Sequence, residues 1–214
     1  GCDPVFAKEV SDEVKKDVSG RHNLPDRFLL YVGSIEERKN LLLAVKAVAM
    51  LHGKGEDINI VAVGRRTHYL DEIVSYAEAN GISHLLHIRH GVNYDDLPVF
   101  YKLATAFVYP SRIEGFGIPM LEAITSGLPA IGCTGSCLEE AGGPTSLYVN
   151  PDDVVGMADA IHSVYNDVTL RQNMIAQGKE YARRFDIAKL TSDLYEVYKT
   201  VCGSHRGMEP NSLL

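Results

Sequence analysis

From residue 27 onward, short apolar runs alternate with amphipathic stretches. Phe28-Leu29-Leu30-Tyr31-Val32 is an uninterrupted apolar run closed by Gly33, the pattern of a strand buried on both faces. Residues 39–52 carry Leu42, Val45, Ala49 and Met50 at helical spacing and stop before Gly53. The same unit recurs. Strands are predicted over 58–63, 85–88, 106–109, 128–131 and 147–149, and helices over 69–80, 95–103 and 119–126. Gly81 reads as a left-handed stop, and Pro119 suits a first helical turn. Residues 153–202 hold only helical patterns, over 153–166, 168–184 and 187–202. Strands alternating with helices predict an α/β fold built on a doubly wound parallel sheet, Rossmann-like in kind.

Residues 1–26 read as a leading segment, with a turn at Cys2-Asp3-Pro4, a charged stretch over 8–18 and a breaker at Asn23-Leu24-Pro25-Asp26. Residues 27–202 form the predicted domain, and 203–214 read as a disordered tail. The 214 residues, 45% hydrophobic and 23% charged, are enough for a core without staples. A net charge of −7 argues against a broad nucleic-acid face. Cys2, Cys133, Cys137 and Cys202 lack zinc spacing and are sparse, so free thiols in a reducing, cytoplasmic setting are expected. No apolar run reaches the roughly 18 residues of a membrane span. The chain starts at Gly1 rather than Met, so it is expected to be a piece of a longer protein, whose targeting stays open.

Ligands of such sheets bind beyond the carboxyl ends of the strands. Gly33-Ser34-Ile35-Glu36-Glu37-Arg38-Lys39-Asn40 leaves the first strand. Two cations before a helix run against its dipole, which an anion between them and the free N–H groups would explain. A solvated loop with Glu36 and Glu37 answering Arg38 and Lys39 explains them equally well. The second loop is Glu114-Gly115-Phe116-Gly117-Ile118-Pro119, with Glu122 three residues on. Its glycines permit close backbone approach, and the N–H groups of Phe116, Gly117 and Ile118 precede a helix. Glu114 and Glu122 can accept from sugar hydroxyls. A purely structural turn is the competing reading, and a glycosidase carboxyl pair suits two acids of one motif poorly. Gly132-Cys133-Thr134-Gly135-Ser136-Cys137 reads equally as a packing loop or a ligand loop. Arg65-Arg66, His87 and His90 are weaker candidates, and Tyr109-Pro110-Ser111 is expected to wall the site. The chain has no Asp-x-Asp, no G-x-G-x-x-G and no P-loop motif, so no metal and no dinucleotide cofactor is expected.

Pro110-Ser111, Glu114-Gly115-Phe116-Gly117-Ile118-Pro119, Glu122-Ala123 and Gly127-x-Pro129, in that order, resemble the E-x7-E signature of retaining GT-B glycosyltransferases of family 4. Val32-Gly33 with Arg38-Lys39-Asn40 is similar to that family's phosphate-binding loop. Leu138-x-Glu140, Asn150-Pro151-Asp152-Asp153 and Phe185 with Tyr198 also fit, and the leading residues resemble an interdomain linker. Ser34 stands where many members have arginine, Glu139 where proline is usual, and Ile187 where tryptophan is common.

The resemblance implies the C-terminal, donor-binding half of a GT-B fold, with the N-terminal acceptor domain missing. Arg38 and Lys39 would contact the donor diphosphate beside Gly33 and Ser34, and Glu114 would hold sugar hydroxyls. Backbone at Phe116, Gly117 and Ile118 would support sugar and phosphate, and Glu122 would bind the ribose. Arg65, His90, Gly91 and Val92 would frame the base. The implied reaction is metal-independent transfer from a nucleotide sugar, GDP-mannose ahead of UDP-sugars, to a hydroxyl acceptor in polysaccharide synthesis. Retention would follow a front-face path in which the diphosphate takes the acceptor proton. The isolated chain is expected to bind nucleotide without transfer, and the whole enzyme to lie in the cytoplasm or at a membrane periphery. The alternatives are a non-catalytic binding module of the same fold and a GT-B-like epimerase.

Overall fold

The computed structural model describes residues 2–186, 191 and 195–200. Among the described residues six strands form one parallel sheet: β1 (Phe28–Val32), β2 (Asn59–Val63), β3 (Leu86–Arg89), β4 (Ala106–Tyr109), β5 (Ala130–Cys133) and β6 (Leu147–Val149). Their spatial order is β3-β2-β1-β4-β5-β6, that of a doubly wound sheet. Leu30 faces Val61 on one side and Phe107 on the other, so the central strand is enclosed by apolar neighbours. β1, β4 and β5 are buried almost throughout, which is why they read as continuous apolar runs.

The helices are α1 (Asp12–His22), α2 (Leu41–His52), α3 (Tyr69–Ala79), α4 (Leu97–Leu103), α5 (Ile118–Ser126), α6 (Leu138–Gly142), α7 (Val154–Asn166) and α8 (Val168–Ala182). α2 packs on α3 and α7, while α5 packs on α4, α6 and α8. Asp153 and Asp167 cap α7 and α8, each side chain accepting from a backbone N–H two or three residues into its helix. Gly81 ends its helix at φ 71°, the left-handed stop expected of it, and Gly127 does the same after α5 at φ 76°.

Several boundaries differ from expectation. α2 starts at Leu41, because Glu37–Lys39 form a 3-10 turn and Asn40 turns left-handed at φ 56°. β5 begins at Ala130, two residues late, and takes in Gly132 and Cys133, which sequence assigned to a loop. α6 follows the 132–137 segment, over residues for which no element was expected. The largest miss is α1. It buries only Val18, so it has no apolar stripe to read. It docks instead through charge: Arg21 forks onto Asp96 at 2.8 and 3.0 Å, and His22 meets the same carboxylate at 2.8 Å. Ahead of it a 3-10 turn, Pro4–Ala7, sinks Phe6 completely into the core. The helix expected over 187–202 lies partly outside the described residues, of which 191 and 195–200 are helical. The expected tail lies wholly outside them.

The sheet's open end depends on one close backbone approach. Gly64 follows β2, and a Cβ there would lie 1.8 Å from the Gly33 carbonyl oxygen. Gly64→Ala should therefore destabilise by about 3 kcal/mol, as overpacking against backbone does. In urea this would appear as a lower midpoint at constant m-value.

Candidate functional site

β1 and β4 are neighbours whose following connections run to opposite sides, to β2 and to β5. The crevice opens at this switch point. Residues 33–40 leave β1 and 110–117 leave β4, so the two loops singled out in sequence meet. The Arg112 N–H donates to the Arg38 carbonyl at 2.9 Å and ties them together.

The meeting point is a buried charge pair. Lys39 is only 7% exposed, and its Nζ donates to the Glu114 carboxylate and, at 2.6 Å, to the Tyr109 hydroxyl. The ammonium also lies 5.0 Å from the Tyr109 ring centroid. Burial pushes the Glu114 carboxyl up, but hydrogen bonds from Lys39 and Ser111, the Lys39 charge and Tyr109 together outweigh it and hold it below its ordinary range. Arg38 sits at the rim, half exposed. Its Nε donates to Glu36 at 3.1 Å and its Nη1 to the Ile113 carbonyl at 3.3 Å. The two cations thus differ in kind, one a fixed interior charge and the other an exposed fork.

Beyond Glu114 the chain enters α5 through Gly117, left-handed at φ 94°, where a Cβ would come within 2.6 Å of the Leu138 side chain. The N–H groups of Phe116, Gly117 and Ile118 stand at the helix start without intrahelical acceptors, and none is found among the described residues. Ile118 is exposed, while Phe116 turns inward against Phe185 at 5.5 Å between rings. Cys137 Sγ donates to the Glu114 carbonyl at 3.1 Å, so the loop after β5 supports this corner.

Glu122 lies one turn into α5 and takes a different environment. Its Oε2 accepts from the Tyr101 hydroxyl of α4 at 2.9 Å. Burial raises its pKa despite that bond, and Asp3 adds to the rise. Glu114 and Glu122 therefore do not form one cluster. Tyr101 and Tyr109, each holding one of them or its partner, are linked through stacked Phe107 at 5.4 and 5.7 Å. Sequence reasoning passed over Tyr101, because a tyrosine in an apolar helix reads as core.

The remaining expected residues scatter along the rim. Gly33 donates its N–H to the Val63 carbonyl at 2.9 Å, and the Ser34 carbonyl accepts from the Tyr31 hydroxyl at 2.9 Å. Arg65 is largely exposed, 3.7 Å from Glu36. His90 Nδ1 lies 2.7 Å from the Gly64 carbonyl, at the mouth beside Gly91 and Val92. His87 instead faces Asn59 at 2.9 Å inside the sheet edge. Arg66 pairs with Asp71 away from the switch point. Cys2, Cys133 and Cys137 are free thiols, and Cys202 lies outside the described residues. Among the described residues no group of three or more His, Cys, Asp or Glu side chains could hold a metal ion, and no helix is long and apolar enough to cross a membrane.

A family model described as glycosyl transferases group 1 matches residues 12–181. The chain is 30% identical over 173 residues to the O-antigen chain mannosyltransferase B of Escherichia coli, covering 80% of this chain and 45% of that one. It spans less than half the length of these curated relatives, 22% of a serotype-specific mannosyltransferase WbdA of Escherichia coli and 45% of the O-antigen chain mannosyltransferase B. A glycosyltransferase from Rickettsia africae superposes with a TM-score of 0.83 at 16% identity, over 99% of this chain and 56% of that one. Anabaena HepE in complex with UDP and glucose superposes with a TM-score of 0.81 at 14% identity, over 93% of this chain and 55% of that one.

The two carboxylates should separate in a pH series. Glu114 has a lowered folded pKa, so its contribution is present above its ordinary 4.5 and lost as pH falls through the folded value. Glu122 has a raised folded pKa, so ionising it costs stability above that value, and the cost vanishes as pH falls below 4.5. Glu122→Gln should therefore be more stable than the parent at pH 7 and equal to it near pH 4, read by urea midpoints. Lys39→Met, which leaves Glu114 buried and unpaired, should lose about 3 kcal/mol at pH 7.

Proposed function

The chain belongs to the group 1 glycosyl transferases and has the fold of one half of a GT-B enzyme, and from that premise we propose that it is the donor-binding half of a retaining transferase. Its donor is a nucleotide diphosphate sugar and its acceptor a hydroxyl on a growing glycan. The observation that carries this reading is the Lys39–Glu114 pair at the switch point, beside free amides at the start of α5.

The leaving diphosphate gathers negative charge as the glycosidic bond breaks. Lys39 has three N–H groups and uses two of them on Tyr109 and Glu114, leaving one for a phosphate oxygen. Arg38 can swing its exposed guanidinium onto the same group as a fork. The amides of Phe116, Gly117 and Ile118 add fixed dipoles at the helix start. Such prearranged charge is stronger at the transition state than in the ground state, which is what accelerates a reaction. Glu114, held ionised, accepts from sugar hydroxyls, and Glu122 accepts from the ribose. Gly33, Ser34, Arg65, His90, Gly91 and Val92 line the mouth on the base and phosphate side. None of these side chains is assigned as a nucleophile, and the diphosphate itself takes the acceptor proton on the retained face. No metal is assigned a part, the two cations taking the diphosphate charge.

GDP-mannose is the favoured donor, because several of the relatives this chain matches are mannosyltransferases. UDP-sugars come next, the HepE complex holding UDP on a similar fold. The 214 residues alone bind nucleotide without efficient transfer, since the acceptor wall belongs to another domain.

Calorimetric titration with GDP, UDP and ADP should give saturable heat with GDP most strongly. Silence with all three would sink the donor-site reading for this chain. In the full-length enzyme Lys39→Ala should lower kcat/KM at least tenfold, or about 1.4 kcal/mol of transition-state stabilisation. An unchanged value would remove Lys39 from the diphosphate.

A further inference from the structure

The opposite end of the sheet carries a second concentration of positive charge. A cavity of about 330 Å³ opens where the strands begin, below β1, β4 and β5. Arg27 reaches it from just before β1, Lys102 from the last turn of α4 and Arg171 from the first turn of α8. No carboxylate lines it among the described residues, although the chain as a whole carries a net charge of −7. Lys179 adds to the field, its Nζ lying 3.1 Å from where a Cβ on Gly127 would stand. Burial lowers the Lys102 pKa, which the charge of Glu9 opposes and the charges of Lys179 and Lys15 reinforce.

The three side chains are anchored but not exhausted. Arg27 donates one bond to the Tyr165 carbonyl and lies 4.2 Å over that ring. Arg171 Nη1 donates to the Val164 and Tyr165 carbonyls, both at 2.7 Å. Lys102 donates to the Ser126 carbonyl at 3.0 Å. A guanidinium has five N–H groups and an ammonium three, so each cation keeps donors for a further acceptor. Leu128 and Ile175 supply apolar walls that keep those charges from being fully hydrated.

We propose that this cavity is a binding site for a small phosphate-bearing anion, held by Arg27, Lys102 and Arg171. The site is separate from the donor crevice. A strand of four or five residues, at roughly 3.3 Å each, puts some 15 Å of sheet between them. Its recess, set between the starts of three strands and the helices α4 and α8, selects a soluble phosphate over the headgroups of a flat lipid surface.

The test is a site-resolved NMR titration of the 214-residue chain with inorganic phosphate and with pyrophosphate, against sodium chloride at matched ionic strength. Saturable shifts are expected at the amides of Thr105 and Gly127 with the phosphates and not with chloride. Lys102→Gln should weaken that binding about tenfold, and Arg171→Gln should weaken it as well. The same variants should leave phosphate-induced shifts at Gly117 and Ile118 unchanged. The titration of the parent chain is decisive by itself if neither variant folds. Shifts confined to Gly117 and Ile118, equal shifts with chloride, or unchanged affinity in a folded Lys102→Gln would overturn the site. Co-sedimentation with phosphatidylglycerol vesicles but no response to either free phosphate would overturn the soluble-anion assignment.

Discussion

A lysine ammonium nearly sealed from water is held against a carboxylate, and the two loops carrying them cannot shift independently. Lys39 comes from the connection after β1 and Glu114 from the connection after β4. Desolvating two charges is expensive, and leaving either one unpaired is worse, by about 3–5 kcal/mol. The pair therefore constrains backbone as much as it supplies charge. It explains why Glu37–Lys39 tighten into a 3-10 turn and why Asn40 accepts a left-handed conformation before α2 can start. The Asn40 side chain donates to the Pro151 carbonyl at 2.9 Å, which extends the same restraint to the segment preceding α7.

Two tyrosines carry the constraint into the core. Tyr109 ends β4 with its hydroxyl on Lys39, and Tyr101 ends its own contact on Glu122. Phe107 stacks between them and Phe6 closes the row at 5.2 Å from Tyr101. The two carboxylates are thus set by one rigid aromatic row, yet their electrostatics diverge. Glu114 has cationic company and stays ionised easily. Glu122 has a phenol and a nearby acid, and its charge is held at a cost to the fold. A group kept in an unfavourable ionisation state is a familiar exchange of stability for binding.

The sheet was legible because buried parallel strands leave uninterrupted apolar runs and end in glycine. The meeting of the two loops was legible too, since strand alternation predicts the switch point that joins 33–40 to 110–117. What escaped had no local signal. α1 is docked by Arg21 and His22 onto Asp96, and ion pairs between residues some 75 apart leave no periodicity. Tyr101 looks like any core aromatic until Glu122 is brought to its hydroxyl. β5 slid toward Cys133 because a buried thiol packs as an apolar side chain, its pKa pushed up to about 12 by burial.

Phe6 gives the leading residues a mechanical role. It is wholly buried, edge-on to Tyr101, while Asp3 accepts from the Tyr94 hydroxyl at 2.8 Å and from the Val5 N–H at 2.9 Å. A chain fastened in this way cannot bend between Asp3 and Phe6 without extracting an aromatic ring from the core. Any body attached ahead of Cys2 would swing from a fixed pivot, and that pivot is bolted to the row of rings that ends at Lys39. Torque applied from that side would arrive at the ammonium as strain in packed side chains, with no slack loop to absorb it.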